Sequence, residues 1–152
     1  MMESWAEKYR PESLSDLIGN TSVINDLKNW ASSWGNKTTK KGIILSGPPG
    51  CGKTSAAFAL ANEMGWEVIE LNASDTRSGN VIEGIALRAG LFQTFGNKGI
   101  SSRNLILLDE ADNLYERAQQ SKNKTKSYSD RGGKKAIAKT LELTKQPVVI
   151  TV

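Results

Sequence analysis

The chain has 152 residues, 38% of them hydrophobic, a formal net charge of +4 and one cysteine. That length implies one domain or a piece of one, with enough apolar residues for a core. The single Cys51 excludes an internal disulfide and fits a reducing compartment, no apolar run approaches the roughly 20 residues of a membrane span, and the start MMESWAEKYR does not have the pattern of a signal peptide.

After an N-terminal arm, residues 1–20, Val23, Leu27, Trp30 and Trp34 recur at helical spacing, which predicts a helix with these four on one face. GIILS, residues 42–46, is a short unbroken apolar run, the pattern of a buried parallel strand. The Ala-rich stretch Lys53 to Met64 predicts a helix stopped by Gly65. EVIEL, residues 67–71, predicts a second strand. Val81, Ile82, Ile85 and Ala89 mark another helical face. NLILLDE, residues 104–110, predicts a third strand. Residues 117–135 then hold seven Lys or Arg and one acid, so this stretch carries +6 and the rest of the chain −2. Its part 117–133 is poor in hydrophobics and reads as a mobile basic loop, either facing a polyanion or simply solvated. Ile137, Leu141 and Thr144 mark a last helix, which Gln146-Pro147 breaks before VVITV, a fourth strand at residues 148–152.

Strands and helices that alternate this way give an α/β fold, a parallel sheet with right-handed crossovers and helices on both faces. Parallel strands deliver functional residues at their C-terminal edge. Here that edge falls where the sequence stops, so the chain reads as a fragment cut inside a larger protein.

GPPGCGKT, residues 47–54, fits the G-x-x-x-x-G-K-[ST] pattern between a strand and a helix. Gly47, Gly50 and Gly52 let the backbone curl so that its N–H groups face phosphate oxygens. Pro48, Pro49 and Cys51 complete the loop, with Cys51 a small filler. The following helix adds the positive end of its dipole. Lys53 supplies a charge for the β- and γ-phosphates, and Thr54 a hydroxyl for Mg²⁺. In LILLDEAD, residues 105–112, Asp109 leaves the buried strand where it can hold Mg²⁺ through water, and Glu110 is placed to polarise the attacking water. ATP and Mg²⁺ are therefore the expected cofactors. The DEAD string occurs in helicases too, but the Pro-Pro loop argues against them. A phosphate loop does not read the base. Tyr9, Arg10, Pro11 and the Ile18–Gly19 turn could wrap adenine with backbone and apolar contacts, or form a plain arm packed by Trp5.

The Pro-Pro loop with Asp-Glu resembles the AAA+ ATPases. WAEKYRP (5–11) with LSDLIGN (14–20), and ELNASDTRSGN (70–80), resemble replication factor C clamp-loader subunits; DRGGKKAI and TKQPVVITV (130–152) are similar to the large-subunit type. The resemblance covers nearly the whole chain. Two features depart from it: Ala111 stands where a larger hydrophobic residue is usual, and the Lys-rich insert before Asp130 is longer. The motifs start at once, as in archaeal members. The resemblance implies an AAA+ module, residues 1–152, that lacks its last core strand and helical lid and alone has little or no turnover.

It also implies a DNA-dependent ATPase subunit that, with smaller subunits, opens the PCNA sliding clamp and loads it onto primer–template DNA. The compartment implied is the archaeal cytoplasm, near the nucleoid, or the nucleus in a eukaryote. Ser74, Asp75 and Ser78 are N-cap types, so a helix start with Arg77 beside it would form a second phosphate site, after the ATP loop is taken, unless Arg77 is a surface residue paired with a nearby acid. Arg131, Lys134 and Lys135 look like another. Arg77, Ser78, Arg131, Lys134 and Lys135 are thus the expected DNA contacts, without base readout. Leu91, Phe92 and Phe95 crowd between glycines 90, 96 and 99, the form of a plug for a hydrophobic clamp pocket or a cover for the domain's own core. Two other classes share the phosphate loop: a DNA-remodelling motor of the branch-migration type, and a checkpoint clamp loader or ATP-gated scaffold.

Overall fold

The structure, a computed structural model, describes residues 5–34, 40–72, 94–95, 101–111, 138, 141–142 and 144–152. Within them, α1 (Trp5–Lys8) and a 3₁₀ turn (Leu14–Asp16) form the arm, and α2 (Thr21–Ser32) follows. Then come β1 (Gly42–Leu45), α3 (Lys53–Met64), β2 (Glu67–Asn72), the two-residue strands β3 (Thr94–Phe95) and β4 (Ser101–Ser102), β5 (Asn104–Asp109) and β6 (Val148–Thr151).

Four strands form one parallel sheet in the order β1-β6-β5-β2. Unbroken apolar runs make this possible in β5 and β6, which are covered on both faces. Strand β1, at the edge of the described sheet, is only half-buried, with Ile44 64% exposed, so GIILS is not the buried strand its sequence predicts. Leu105, Leu107 and Val149 point to one face, where Ala57 and Ala61 of α3 pack on them. Ile106, Leu108, Val148 and Ile150 point to the other, with Leu71, Ala111 and Leu141. The period of two along β5 and β6 thus serves two cores. Leu141 comes so close to β1 that a Cβ on Gly42 would lie 2.5 Å from its Cδ2. A side chain at position 42 would therefore require Leu141 to shift.

Helix α3 has the predicted bounds and ends at Gly65, whose φ of 67° is left-handed. Its Ala side chains let it lie close on the sheet. The face of α2 differs from the expected one. Leu27 and Ala31 are buried, Ile24 and Trp30 are packed beside them, and Val23 is 39% exposed. Trp34 lies past the end of α2, yet it stacks edge-on against Trp30 at 5.3 Å. A real helix turns by 3.6 residues, so the stripe drifts from Val23 to Ile24. Thr144 also leaves the predicted helix face: its hydroxyl accepts from the Gln146 N–H and donates to the Gln146 carbonyl, a buried local turn. The antiparallel pair β3–β4 was not expected; it sets Phe95 opposite Ser101. The helix expected over 81–89 and the basic loop lie outside the described residues.

Candidate nucleotide-binding site

Strand β1 runs directly into the phosphate loop. The loop is tied back to the sheet, as Gly47 N donates to the Val152 carbonyl and Val152 N to the Leu45 carbonyl. Gly50 and Gly52 have φ of 78° and 92°, a region that side chains enter only with strain. Nothing lies within 4 Å of a Cβ placed on either, so these glycines serve backbone shape and not tight packing. Gly52 is also the N-cap of α3, and the first turn of that helix holds no acid. An anion there would meet free N–H groups and the positive end of the dipole.

Two side chains at the start of α3 already have partners. Lys53 Nζ donates to the carbonyls of Gly47 at 2.7 Å and Pro48 at 3.0 Å. Thr54 Oγ1 donates to both carboxylate oxygens of Asp109, at 3.0 and 3.2 Å. Asp109 also accepts from Thr151 Oγ1 at 2.5 Å. Glu110 is exposed and has φ 53°, so the backbone turns sharply after β5. Its N–H donates to Thr151 Oγ1 at 3.0 Å. A curled glycine loop, a helix N-terminus, a mobile ammonium, a hydroxyl and a carboxylate therefore meet at one edge of the sheet. That donor set fits a nucleotide phosphate with Mg²⁺, which takes few protein ligands and completes its shell with phosphate and water. Among the described residues no cluster of three or more His, Cys, Asp or Glu forms a self-sufficient metal cage.

The arm is anchored by its main chain. Leu14 N donates to Glu63 Oε2 at 3.0 Å and Asn62 Nδ2 to the Glu12 carbonyl at 2.7 Å, while the Leu14 side chain is fully buried. Arg10 stacks its guanidinium 4.1 Å over the Phe58 ring. Lys8, Arg10, Pro11 and Glu12 line an open groove of about 470 Å³ with Phe58 and Trp66. Tyr9 and Ile18 stay exposed, and Gly19 has φ 92°. Of the residues expected around adenine, Arg10 and Pro11 are set against α3, whereas Tyr9 and Ile18 project from the arm.

The family profile of the ATPases associated with various cellular activities (AAA) matches residues 43–151, from β1 through the last strand. The chain belongs to the AAA ATPase family. A profile of the Rad17 P-loop domain matches residues 1–84. Among curated relatives, the replication factor C large subunits of Methanococcoides burtonii and Methanosarcina mazei are 46% and 47% identical over 96% of the chain. That of Halorubrum lacusprofundi is 42% identical over 98%. The chain spans 27%, 22% and 29% of these three relatives. A katanin structure covers the whole chain with a TM-score of 0.62 at 19% identity, and 53% of that chain is matched. The RuvB Holliday junction branch migration motor of Thermotoga maritima covers 93% with a TM-score of 0.57 at 20% identity, with 40% of it matched. At such identities these two share the fold alone. No helix among the described residues is long and apolar enough to cross a membrane.

The structure thus brings together Lys53, Thr54 and Asp109 with the glycine loop, and puts Glu110 next to them. Arg77, Ser78, Leu91, Phe92, Arg131, Lys134 and Lys135 lie outside the described residues. Sequence reasoning overlooked Thr151. The signal was present in VVITV: a lone hydroxyl in a Val/Ile strand that ends at the same sheet edge.

Proposed function

We propose that this chain is the nucleotide-binding part of a clamp-loader large subunit. It binds ATP with Mg²⁺, and the whole protein, with smaller subunits, uses the nucleotide to open PCNA and place it on primer–template DNA in the archaeal cytoplasm. The observation that carries the nucleotide half is the Thr54 hydroxyl on the Asp109 carboxylate, at the glycine-loop end of α3. The clamp-loader half is supported by relatives at 42–47% identity that are named replication factor C large subunits.

Lys53 gives up the Gly47 and Pro48 carbonyls for the β- and γ-phosphates, an exchange favoured by full charge on the acceptor. Thr54 and Asp109 would hold Mg²⁺, which when bound neutralises charge on the phosphates. Glu110 orients the attacking water and takes up its proton. Tyr9, Arg10, Pro11, Ile18 and Gly19 lie on the adenine side. Arg77, Ser78, Arg131, Lys134 and Lys135 meet DNA phosphates, and Leu91, Phe92 and Phe95 meet the clamp. Turnover depends on DNA and needs the assembled complex.

Glu110→Gln in the reconstituted complex tests this reading. Nucleotide binding should persist while turnover falls by about 10²–10⁴-fold, the usual share of a positioned base. Normal turnover would remove Glu110 from this role. Affinity capture of the full-length protein should bring smaller AAA subunits and a ring-shaped clamp; their absence would favour a motor or a scaffold.

A further inference from the structure

The side chain of Thr151 is 1% exposed, at the end of a strand made otherwise of Val and Ile. A hydroxyl this deep is costly unless it is fully bonded. Thr151 Oγ1 is bonded twice, donating to Asp109 Oδ1 at 2.5 Å and accepting from Glu110 N at 3.0 Å. Its main-chain carbonyl accepts from Ala111 N at 2.9 Å. One residue therefore grips three successive residues of the turn after β5. The middle one, Glu110, sits at φ 53°. A side-chain-bearing residue holds that conformation only where its surroundings fix it. Bonds from Thr151 lie on both sides of it.

The Asp109 carboxylate shows a further asymmetry. Oδ1 takes both Thr54, at 3.0 Å, and Thr151, while Oδ2 takes Thr54 at 3.2 Å. When Thr54 turns to a metal, Oδ1 keeps its buried donor and Oδ2 becomes available. We propose that Thr151 is a positioning residue for the reaction. It holds the Asp109 carboxylate through Oδ1, which would leave Oδ2 available to a metal or its water, and it locks the backbone that carries Glu110. This inference rests on the nucleotide reading above.

The test uses the full-length protein in its complex, with Thr151→Val, Thr151→Ser and Lys53→Ala. Metal-free ADP affinity, MgADP affinity and the Mg²⁺ concentration at half-maximal turnover are measured. Thr151→Val should leave metal-free ADP affinity unchanged and raise the Mg²⁺ requirement by about tenfold, the effect typical of losing a partner of a metal ligand. Thr151→Ser should restore it. A Mg²⁺ requirement unaltered in Thr151→Val overturns the proposal. So does a serine variant as poor as the valine one, or equal loss of metal-free and MgADP binding, since both mark a packing role. If Thr151→Val does not fold, Thr151→Ala takes its place, and failure of both to fold also overturns the proposal. Lys53→Ala separates the two layers. If it still binds ADP normally, the nucleotide reading itself fails. If it loses ADP while Thr151→Val behaves as wild type, only the role of Thr151 falls.

Discussion

The Thr54 hydroxyl donates to both oxygens of the Asp109 carboxylate although 55 positions separate the two residues in the chain. The sheet order explains the meeting. Thr54 starts the helix after β1, Asp109 ends β5, and β6 lies between those strands. All three strands are parallel, so their C-terminal ends share one edge. Thr54→Ala should weaken MgADP binding and leave metal-free ADP binding nearly intact; Thr54→Ser should behave as wild type. Calorimetry with and without Mg²⁺ checks this, and equal losses in both conditions would take Thr54 away from the metal.

Lys53 reaches the carbonyls of its own loop, Gly47 and Pro48. A phosphate offers it a charged acceptor instead. Lys53→Ala should cost about 1.5–3 kcal/mol of nucleotide binding, the range for a hydrogen bond to a charged group. The fold should be unaffected, because the bonds lost are in the loop. Fluorescent-nucleotide titration measures the loss. Wild-type affinity would refute the phosphate assignment.

Gly52 isolates a conformational effect. Its φ is 92° and a Cβ there would touch nothing within 4 Å. Gly52→Ala therefore adds no clash, only backbone strain of about 1–2 kcal/mol. The variant should melt lower and bind nucleotide weakly, because the loop must leave its curl to relieve the strain. An unchanged melting temperature and affinity would show that the loop tolerates a side chain at this torsion.

Much of this site was legible because its parts are local in sequence. The spacing of residues 47–54 sets the cradle, and four apolar residues before Asp109 set the strand that carries it. The α3 bounds were readable from an Ala-rich run closed by Gly65. What escaped was non-local. No spacing announces that Thr151 meets Asp109, since that contact depends on the strand order β6-β5. The inward face of α2 also depends on partners outside the helix, such as Trp66, whose ring meets Trp30 edge-on at 6.4 Å from beyond α3, and spacing within the helix does not show them. The antiparallel pairing of Phe95 with Ser101 was hidden because two-residue strands have no period to read.

The DNA contacts rest on charge placement. Arg77, Arg131 and Lys134 are proposed to meet phosphates, so their loss should weaken binding alike for every sequence. Each alanine substitution should lower the slope of log affinity against log salt by about one. Fluorescence anisotropy of primer–template DNA at several salt concentrations measures it. An unaltered slope would return these residues to the solvated surface.

Phe92 and Phe95 separate docking from packing. Replacing both with Ala should abolish clamp affinity and leave the melting temperature nearly unchanged if they are a plug. Core packing instead predicts a loss of about 3 kcal/mol or more per buried Phe. Thermal melting and clamp binding are measured on the same sample. A large drop in melting temperature with clamp binding intact would end the docking proposal.

A turn within the arm is closed by a carboxylate, and pH should report on it. Asp16 accepts from Ser13 N at 2.9 Å, Ser13 Oγ at 3.1 Å and Glu12 N at 3.2 Å. The Ser13 N–H, then the Ser13 hydroxyl, hold its carboxyl below the ordinary value of 3.8, against a small opposing desolvation. A carboxyl depressed in the folded state stabilises fully above its unfolded value and loses that contribution as pH falls through the folded one. The turn should therefore be intact at neutral pH and open only in acid below 3.8. Asp16→Ala should strip hydrogen-exchange protection from the Ser13 and Glu12 amides at pH 7, and should make no further difference once the wild-type carboxyl is protonated. Leu14 gives the contrast. Its side chain is fully buried with Leu27, Ala31 and Leu60, and its N–H is held by Glu63, which also pairs with Lys28 at 3.2 Å. Leu14→Ala should cost about 2–5 kcal/mol of global stability at every pH, as a cavity does. If Asp16→Ala instead lowered global stability as much as Leu14→Ala, the Asp16 carboxylate would support the core and not only close its own turn.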